Sequence, residues 1–559
     1  MRRGLLGLVV VALAVVSIPL ARADEGAPEC PRPSWPMYGH DLAHSFSQDP
    51  GCAAITLDNV ATLVPKWFVP TPDSVTASPT VVDDIVYVGD WAGNFYARDA
   101  ETGEEKWTFV VDDDHKVAFG RIVSSAAVAR FRDHRQRAKK VVLFGGGATL
   151  YALDALTGQK LAAIDLDPRD EATEQAQADD PPDVEIESSP AVVGDRIWVG
   201  MDVHNARQTG RTGIVSLRLQ NQGPNRWAFV PLWKFDPETR QVYEGREGLT
   251  AGSGQGFGCG GVWSSPAVHV DERGRPQLVF FGTSNCNHVQ DAFDAGENWA
   301  ESMFAIRADT GEFVWQHRPA EVEFDTWDEQ KAEAHADDDF GASPNIFSLA
   351  DGRTLVGQGR KSATYYARDA VSGAPVWQRQ AGHHGRADHN FSLGGFLGTT
   401  AVEKDASGQA VRIVGATAVP IPRPDQREFP DSVDRSTWAV KALDPVKEEI
   451  EWIHRLAGPA YGSVTIANGV VFVPNTFSGT VQALDAATGV LLWTSPVFPS
   501  SSAPAVVGDS IYLGGGTRET DLEYKTVAQT GIDTQALASA VGPHPLSPAS
   551  GIFAFHLAG

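Results

Sequence analysis

Apolar residues recur along this chain in short runs separated by turn dipeptides, and Ser463 to Trp493 shows the pattern most plainly. Val464–Ile466, Val470–Val473 and Val481–Leu484 are divided by Asn468-Gly469 and Ser478-Gly479, and Val490–Trp493 follows Thr488-Gly489. Runs of about four to six residues rich in β-branched side chains, with turn residues between them, predict antiparallel strands. Four strands in about 30 residues make one propeller blade, because a lone small sheet cannot bury both faces and must stack on its neighbours.

Two independent marks count the copies. A small-Ser-Pro lead-in to an innermost strand stands at Ala77-Ser78-Pro79, Ser124-Ser125-Ala126, Ser188-Ser189-Pro190, Ser264-Ser265-Pro266, Ala342-Ser343-Pro344 and Ser502-Ala503-Pro504. Weaker versions are Gly398-Thr399-Thr400 and Gly462-Ser463-Val464. The second mark, Asp-x-x-x-Gly-x-x-x-Trp, appears as Asp99/Gly103/Trp107, Asp369/Gly373/Trp377 and Asp485/Gly489/Trp493. Partial copies are Asp154/Gly158, Gly311/Trp315 and Asp444/Trp452. One match alone is an ordinary turn before a strand, but both marks running in register predict an all-β, eight-bladed propeller of four-stranded antiparallel blades.

Within the tail, Asp and Gly make a turn and the Trp offers a large apolar face on which the next blade docks. The last copy, Ile511–Leu513 with Ile552–Leu557, lacks such a tail, while Pro65-Lys66-Trp67-Phe68-Val69 is an orphan strand carrying a Trp. That N-terminal strand is expected to complete the final blade, closing the ring and removing two sheet edges.

The first residues read as a secretion signal: Arg2-Arg3, an apolar run from Leu5 to Leu20, and Ala21-Arg22-Ala23 as a cleavage site. The organisation expected is therefore a signal peptide at 1–23, a leader at 24–64 and the propeller at 65–559. The run is short for a transmembrane anchor, no cysteine follows the cut in a lipobox context, and nothing later nears a span of about 20 apolar residues. A secreted or periplasmic protein with no membrane span is the expectation. The net charge of −25 argues against nucleic acid or an anionic membrane as partner. Four cysteines in an exported chain favour disulfides. Cys30 and Cys52 are expected to bridge, while Cys259 and Cys286 are either a second bridge or a buried thiol pair.

Several motifs reduce to nothing on inspection. Gly256-x-Gly258-x-x-Gly261 has a dinucleotide-binding spacing, but Val262-Trp263-Ser264-Ser265-Pro266 leads into a strand rather than a helix. His383, His384 and His389 read as a solvated loop rather than a metal cluster. No G-x-S-x-G or H-E-x-x-H is present, so hydrolase readings lack a motif, and no C-x-x-C-H marks covalent haem. A better constellation spans blades three to five: Trp263 at an inner strand, Asn285 ending Phe281-Gly-Thr-Ser-Asn285, the acidic loop with Asp328, Asp337 and Asp339, and Lys361. Strand ends on one face of a propeller converge on the channel, so an aromatic floor, an amide, a carboxylate and a cation there suit a flat, anionic, metal-bound cofactor.

At these residues the chain resembles the PQQ-dependent (quinoprotein) alcohol dehydrogenases, most closely their polyvinyl-alcohol-dehydrogenase-like branch. The motifs carrying the resemblance are Gly282-Thr-Ser-Asn285, Asp337-Asp-Asp-Phe-Gly-Ala-Ser-Pro-Asn345, the run from Gly357 to Gly373, and Trp35 to Ser45. The resemblance implies an eight-bladed propeller with PQQ and Ca²⁺ in its channel. It implies that Asn285 is a calcium ligand, that the quinone stacks on Trp263, and that Lys361 contacts the quinone oxygens. The base is implied to be an Asp. A Trp-Asp pair points to Asp328, whereas the branch motif points to Asp337 with Asp339 two residues on. Departures are visible too. The family's calcium-binding Glu falls near Asn205, so a ligand charge is lost unless Asp202 substitutes; the adjacent cysteine pair is absent; and a Trp becomes Leu397. The implied reaction is oxidation of a small or polymeric alcohol, with Ca²⁺ polarising the quinone, the Asp taking the hydroxyl proton, and electrons leaving to an external acceptor such as a cytochrome. The competing expectation is a non-catalytic exported propeller scaffold of the same repeat.

Overall fold

The computed structural model describes residues 30, 32–113, 115, 117, 119–168, 184–203, 212–249, 260–284, 300–319, 339–382, 395–417, 438–458, 460–476, 478–516 and 550–558. Strands and two 3-10 turns, with no α-helix among the described residues, make the fold all-β. Eight antiparallel sheets succeed one another along the chain; seven pair their main strands in sequence order, and the eighth takes its outer strand from the N-terminal part of the chain. Blade one runs from Thr80–Val82 to Glu105–Val110, and blade two from Ala127–Arg132 to Lys160–Asp165. Blades four and five run from Ala267–Val270 to Phe313–His317 and from Asn345–Ser348 to Pro375–Gln380. Blades six and seven run from Ala401–Lys404 to Ile450–Arg455 and from Thr465–Ala467 to Leu491–Pro496.

Blade three keeps the four-stranded frame and adds two short strands. Val184–Glu185 pairs with the far end of Arg196–Val203, and Gln241–Glu244 pairs with the ten-residue Trp227–Asp236. Blade eight is closed as expected: Leu63–Pro70 pairs antiparallel with Ser550–Leu557, placing Trp67 opposite Ala554. Expected features on residues 1–23 and on Cys259 and Cys286 lie outside the described residues. The Cys30–Cys52 bridge is formed.

Each sequence mark has a role that only neighbouring blades reveal. The tail tryptophans lock one blade to the next through their indole N–H. Trp107 donates to the Ala155 carbonyl, Trp233 to Asp309, Trp315 to Ala370, Trp377 to Pro445 and Trp452 to Ala486, at 2.8–3.2 Å. Trp493 donates to Leu63 and Trp67 to Ala100, so the lock passes across the ring closure. The rings of Trp67, Trp107, Trp233, Trp315 and Trp452 also lie on the tail glycine of the next blade; a side chain at Gly489, with φ +70°, would strike Trp452. In blade six that place is taken by Glu448 at φ 62°.

The lead-in residues form a second ring. The Ser78 N–H donates to Ser125 Oγ, Ser125 to Ser189, Ser189 to Ser265, Ser265 to Ser343, Ser343 to Thr399 and Thr399 to Ser463, at 2.8–3.0 Å. The Ala503 N–H donates to Ser78 Oγ at 2.9 Å. Ala503 carries no hydroxyl, so the link from blade seven to blade eight is missing.

Inside this ring the leader crosses the channel, and its residues meet the innermost strands in blade order. Trp35 pairs with Val81; the carbonyls of Pro36, Leu42, Ala43, Ser45 and Phe46 accept from Val128, Val268, Ile346, Val402 and Ile466 at 2.8–2.9 Å. Gln48 Nε2 reaches the Val506 carbonyl at 2.6 Å. The Tyr38 hydroxyl sits 2.9 Å from Thr399 Oγ1 and 3.4 Å from Ser343 and Ser463 Oγ.

Candidate active site

Position along each innermost strand orders the channel. In blade four, Trp263 precedes the ring hydroxyl Ser265, and Val268, which meets the leader, follows it. The leader therefore closes one side of the hydroxyl ring, and the candidate residues stand on the other. Asp339 belongs to the lead-in of blade five, four residues before Ser343, and Lys361 lies just past the strand Thr354–Gly359.

The fold brings these three residues together. Lys361 Nζ donates to Asp339 Oδ2 at 3.0 Å, and Trp263 Nε1 donates to the same oxygen at 3.3 Å. The ammonium lies 5.5 Å from the indole centroid, within reach of the ring's negative face. A backbone bond from the Lys361 N–H to the Asp339 carbonyl, 2.9 Å, fixes the two segments. The side chains of Lys361 and Asp339 are 7% and 6% exposed, so their charges act on each other with little screening by water. Trp263 is half-buried and lies over Gly341, where any side chain would overlap its ring. That overlap explains the glycine of the Phe340-Gly341-Ala342-Ser343-Pro344 segment.

A second group of donors assembles beside them. Asp202, at the end of Arg196–Val203, is buried, and Ser284 Oγ approaches its Oδ1 at 3.4 Å. Gly261 lies between the two, and a side chain there would fill the space that the carboxylate and the hydroxyl share. Backbone bonds from Val262 to Met201 and from Ser284 to Gly261, both 2.9 Å, hold the lead-in of blade four against both strand ends.

Glu185 was not singled out by any motif. It pairs in register with Asp202 and is buried, so two carboxylates share one face of blade three. The signal that could have found it is spacing: Glu185 stands four residues before Ser189, as Asp339 does before Ser343.

Asn285, Asn205, Asp328 and Asp337 lie outside the described residues, as do His383, His384 and His389. Of the Gly256–Gly261 segment, the described part runs from Gly260 through Ser265 toward the strand Ala267–Val270, with no helix among the described residues there.

The eight-bladed ring thus gathers a cation, a carboxylate and an indole from neighbouring blades. The chain belongs to the PQQ family described as glucose/ethanol/alcohol dehydrogenase, beta-propeller domain, whose profile matches residues 35–382. The profile of the outer membrane protein assembly factor BamB matches residues 436–534. Similar proteins include a polyvinylalcohol dehydrogenase of Sphingopyxis sp., 24% identical over 83% of this chain and 70% of that protein. Another is a lupanine 17-hydroxylase [cytochrome c] of Pseudomonas sp., 24% identical over 93% of this chain and 76% of that protein. Among solved structures, a europium-containing methanol dehydrogenase superimposes with a TM-score of 0.65 at 16% identity, covering 94% of this chain and 98% of its own. The quinohemoprotein alcohol dehydrogenase of Comamonas testosteroni gives 0.63 at 17% identity, covering 94% and 81%. These superpositions show the shared fold.

Proposed function

We propose that the chain is an exported quinoprotein oxidoreductase that oxidises an alcohol with PQQ and Ca²⁺ held in the propeller channel. The observation that carries this reading is the buried Lys361–Asp339 pair with the Trp263 N–H on the same carboxylate oxygen. When bound, PQQ supplies a two-electron acceptor and Ca²⁺ a Lewis acid beside it.

The residues present suit both groups. Trp263 offers a flat face next to a cation, which fits a planar anion. Asp202, Ser284 and the Gly261 cradle offer oxygen donors in one space, with Asn285 the next residue along and Glu185 across the strand pair; hard oxygen donors with carboxylate charge suit Ca²⁺. Asn205 stays a proposed neighbour of that site. Asp339 is the described candidate for the base: its Oδ2 takes two donors, and its carboxylate would take the proton of a substrate hydroxyl. Asp328 and Asp337 remain proposed alternatives to it. Lys361, placed against the same carboxylate, balances its charge and presents an N–H toward the indole side.

Electrons would pass to an external acceptor such as a cytochrome, in line with the cytochrome c in the printed name of the lupanine 17-hydroxylase. The substrate class is a small or polymeric alcohol, in line with the printed activities of the relatives. Export is supported by the Cys30–Cys52 bridge, a bond favoured in oxidising compartments. Among the described residues no helix is long and apolar enough to cross a membrane.

The deciding experiment is calorimetry of the purified protein with PQQ and Ca²⁺, followed by dye reduction with alcohols. Binding with alcohol-dependent reduction supports the reading. No heat of binding at micromolar protein would sink it and leave a non-catalytic propeller scaffold.

A further inference from the structure

Arg360 stands immediately before Lys361, is 1% exposed, and its Nη2 donates to Glu301 Oε2 at 3.1 Å. Glu301 is equally enclosed, at 5%. The guanidinium carbon lies 5.6 Å from the centroid of Phe340, the residue that follows Asp339. On the other side of the pair, the Glu301 N–H donates to the Ser284 carbonyl at 3.0 Å. One buried ion pair therefore joins the three segments that carry candidate residues: Ser284, Asp339 to Gly341, and Arg360-Lys361.

The backbone at Arg360 is held on every side. Its N–H donates to Thr364, and its carbonyl accepts from Ala363 and Phe396, at 2.9–3.0 Å. With that backbone fixed, the direction of the Arg360 side chain sets how Phe340 packs, and Phe340 carries Asp339 with it. Burial and the charges of Arg368 and Arg360 push His317 down to about 3, so this nearby imidazole is neutral at pH 7. Among the described residues, the cations that act on Glu301 include Arg360 in contact and Arg318 nearby. A buried ion pair adds little net stability over apolar residues of the same volume, so its service here is geometric.

We propose that Glu301 and Arg360 are positioning residues that hold Asp339 against Lys361. The proposal rests on the reading of that pair as part of an oxidoreductase site. It assigns to Glu301–Arg360 no contact with substrate or cofactor.

The test is a thermal-melting cycle on the full chain. Lys361→Met and Asp339→Asn, singly and together, are made in the wild type and in a Glu301→Gln/Arg360→Met background, which removes both charges and keeps the volume. In the wild type the two single shifts should add to more than the double shift, because each single change strands a buried partner. In the second background that excess should fall to roughly half or less. An unchanged excess overturns the proposal. If the second background does not fold, Arg360→Lys takes its place, keeping the charge and losing the planar fork, and the same comparison is read. PQQ titration followed by tryptophan fluorescence runs alongside, with affinity expected to weaken by about fivefold or more in the altered background. Should the wild type bind no PQQ, the oxidoreductase reading fails while the melting cycle still decides the positioning role. Should it bind PQQ with the melting excess unchanged between backgrounds, the positioning role alone fails.

Discussion

Acid should loosen this ring through one leader histidine, His44. Its Nδ1 lies 3.2 Å from the Pro344 carbonyl, so the neutral ring donates there, and its neighbours Ala43 and Ser45 hold blades five and six through their carbonyls. Burial pushes its pKa down from 6.5 to about 4, against smaller opposing effects of Asp41 and the Pro344 bond. A depressed histidine binds its proton more readily in the unfolded chain. The folded state is then fully favoured above pH 6.5 and loses ground as pH falls toward 4. At about 1.4 kcal/mol for each step of one in pH below 6.5, the loss is about 2 kcal/mol at pH 5 and about 3 kcal/mol at pH 4. Asp41 does not blur this window. Burial raises it, but Lys404, His40 and the Ser45 bonds more than offset that, so its own contribution fades only below 3.8. Burial also lowers His269 and His454, so the comparison must be with a variant rather than with pH alone. His44→Asn is the right one. It keeps an N–H donor at the δ position and tolerates the backbone φ of 51° found there. Melting temperatures from pH 7.5 to 4.5 should fall more steeply for the wild type than for His44→Asn. Parallel curves would refute the argument.

Other outcomes follow from the same geometry. Gly489→Ala should destabilise by about 1–3 kcal/mol, because it forces a side chain into φ +70° and against Trp452, whereas Glu448→Gly at the matching place in blade six should not; melting temperatures compare the two. Ala503→Ser should complete the hydroxyl ring and raise stability by about 1 kcal/mol, read in denaturant unfolding. Reducing the Cys30–Cys52 bridge should cost about 3 kcal/mol, with intact mass confirming the bond beforehand. Lys361→Ala should weaken PQQ binding by about ten- to a hundredfold, the worth of one charge-assisted hydrogen bond, measured by calorimetry.

What the sequence by itself determined is the repeat. Strand, turn and tail are local, so the apolar runs and the Asp/Gly/Trp tails predict eight blades, and a missing final tail paired with the orphan Trp67 strand predicts how the ring closes. The Trp263, Asp339 and Lys361 candidates were also legible, because motif and strand position survive in one dimension. Their contact was not. Trp263 and Asp339 are 76 residues apart in the chain, and they meet only because the ring sets successive lead-ins around one axis. The same holds for the serines: in sequence they mark the start of a strand, while in the structure each hydroxyl receives the N–H of a neighbouring blade. The Glu301–Arg360 pair and the leader's course across the blades carry no local signature, since each is a contact between segments far apart in the chain, and Glu185 shows only its spacing to Ser189. Tertiary structure decided them because a propeller fixes its blades by local turns but builds its channel entirely from non-local neighbours.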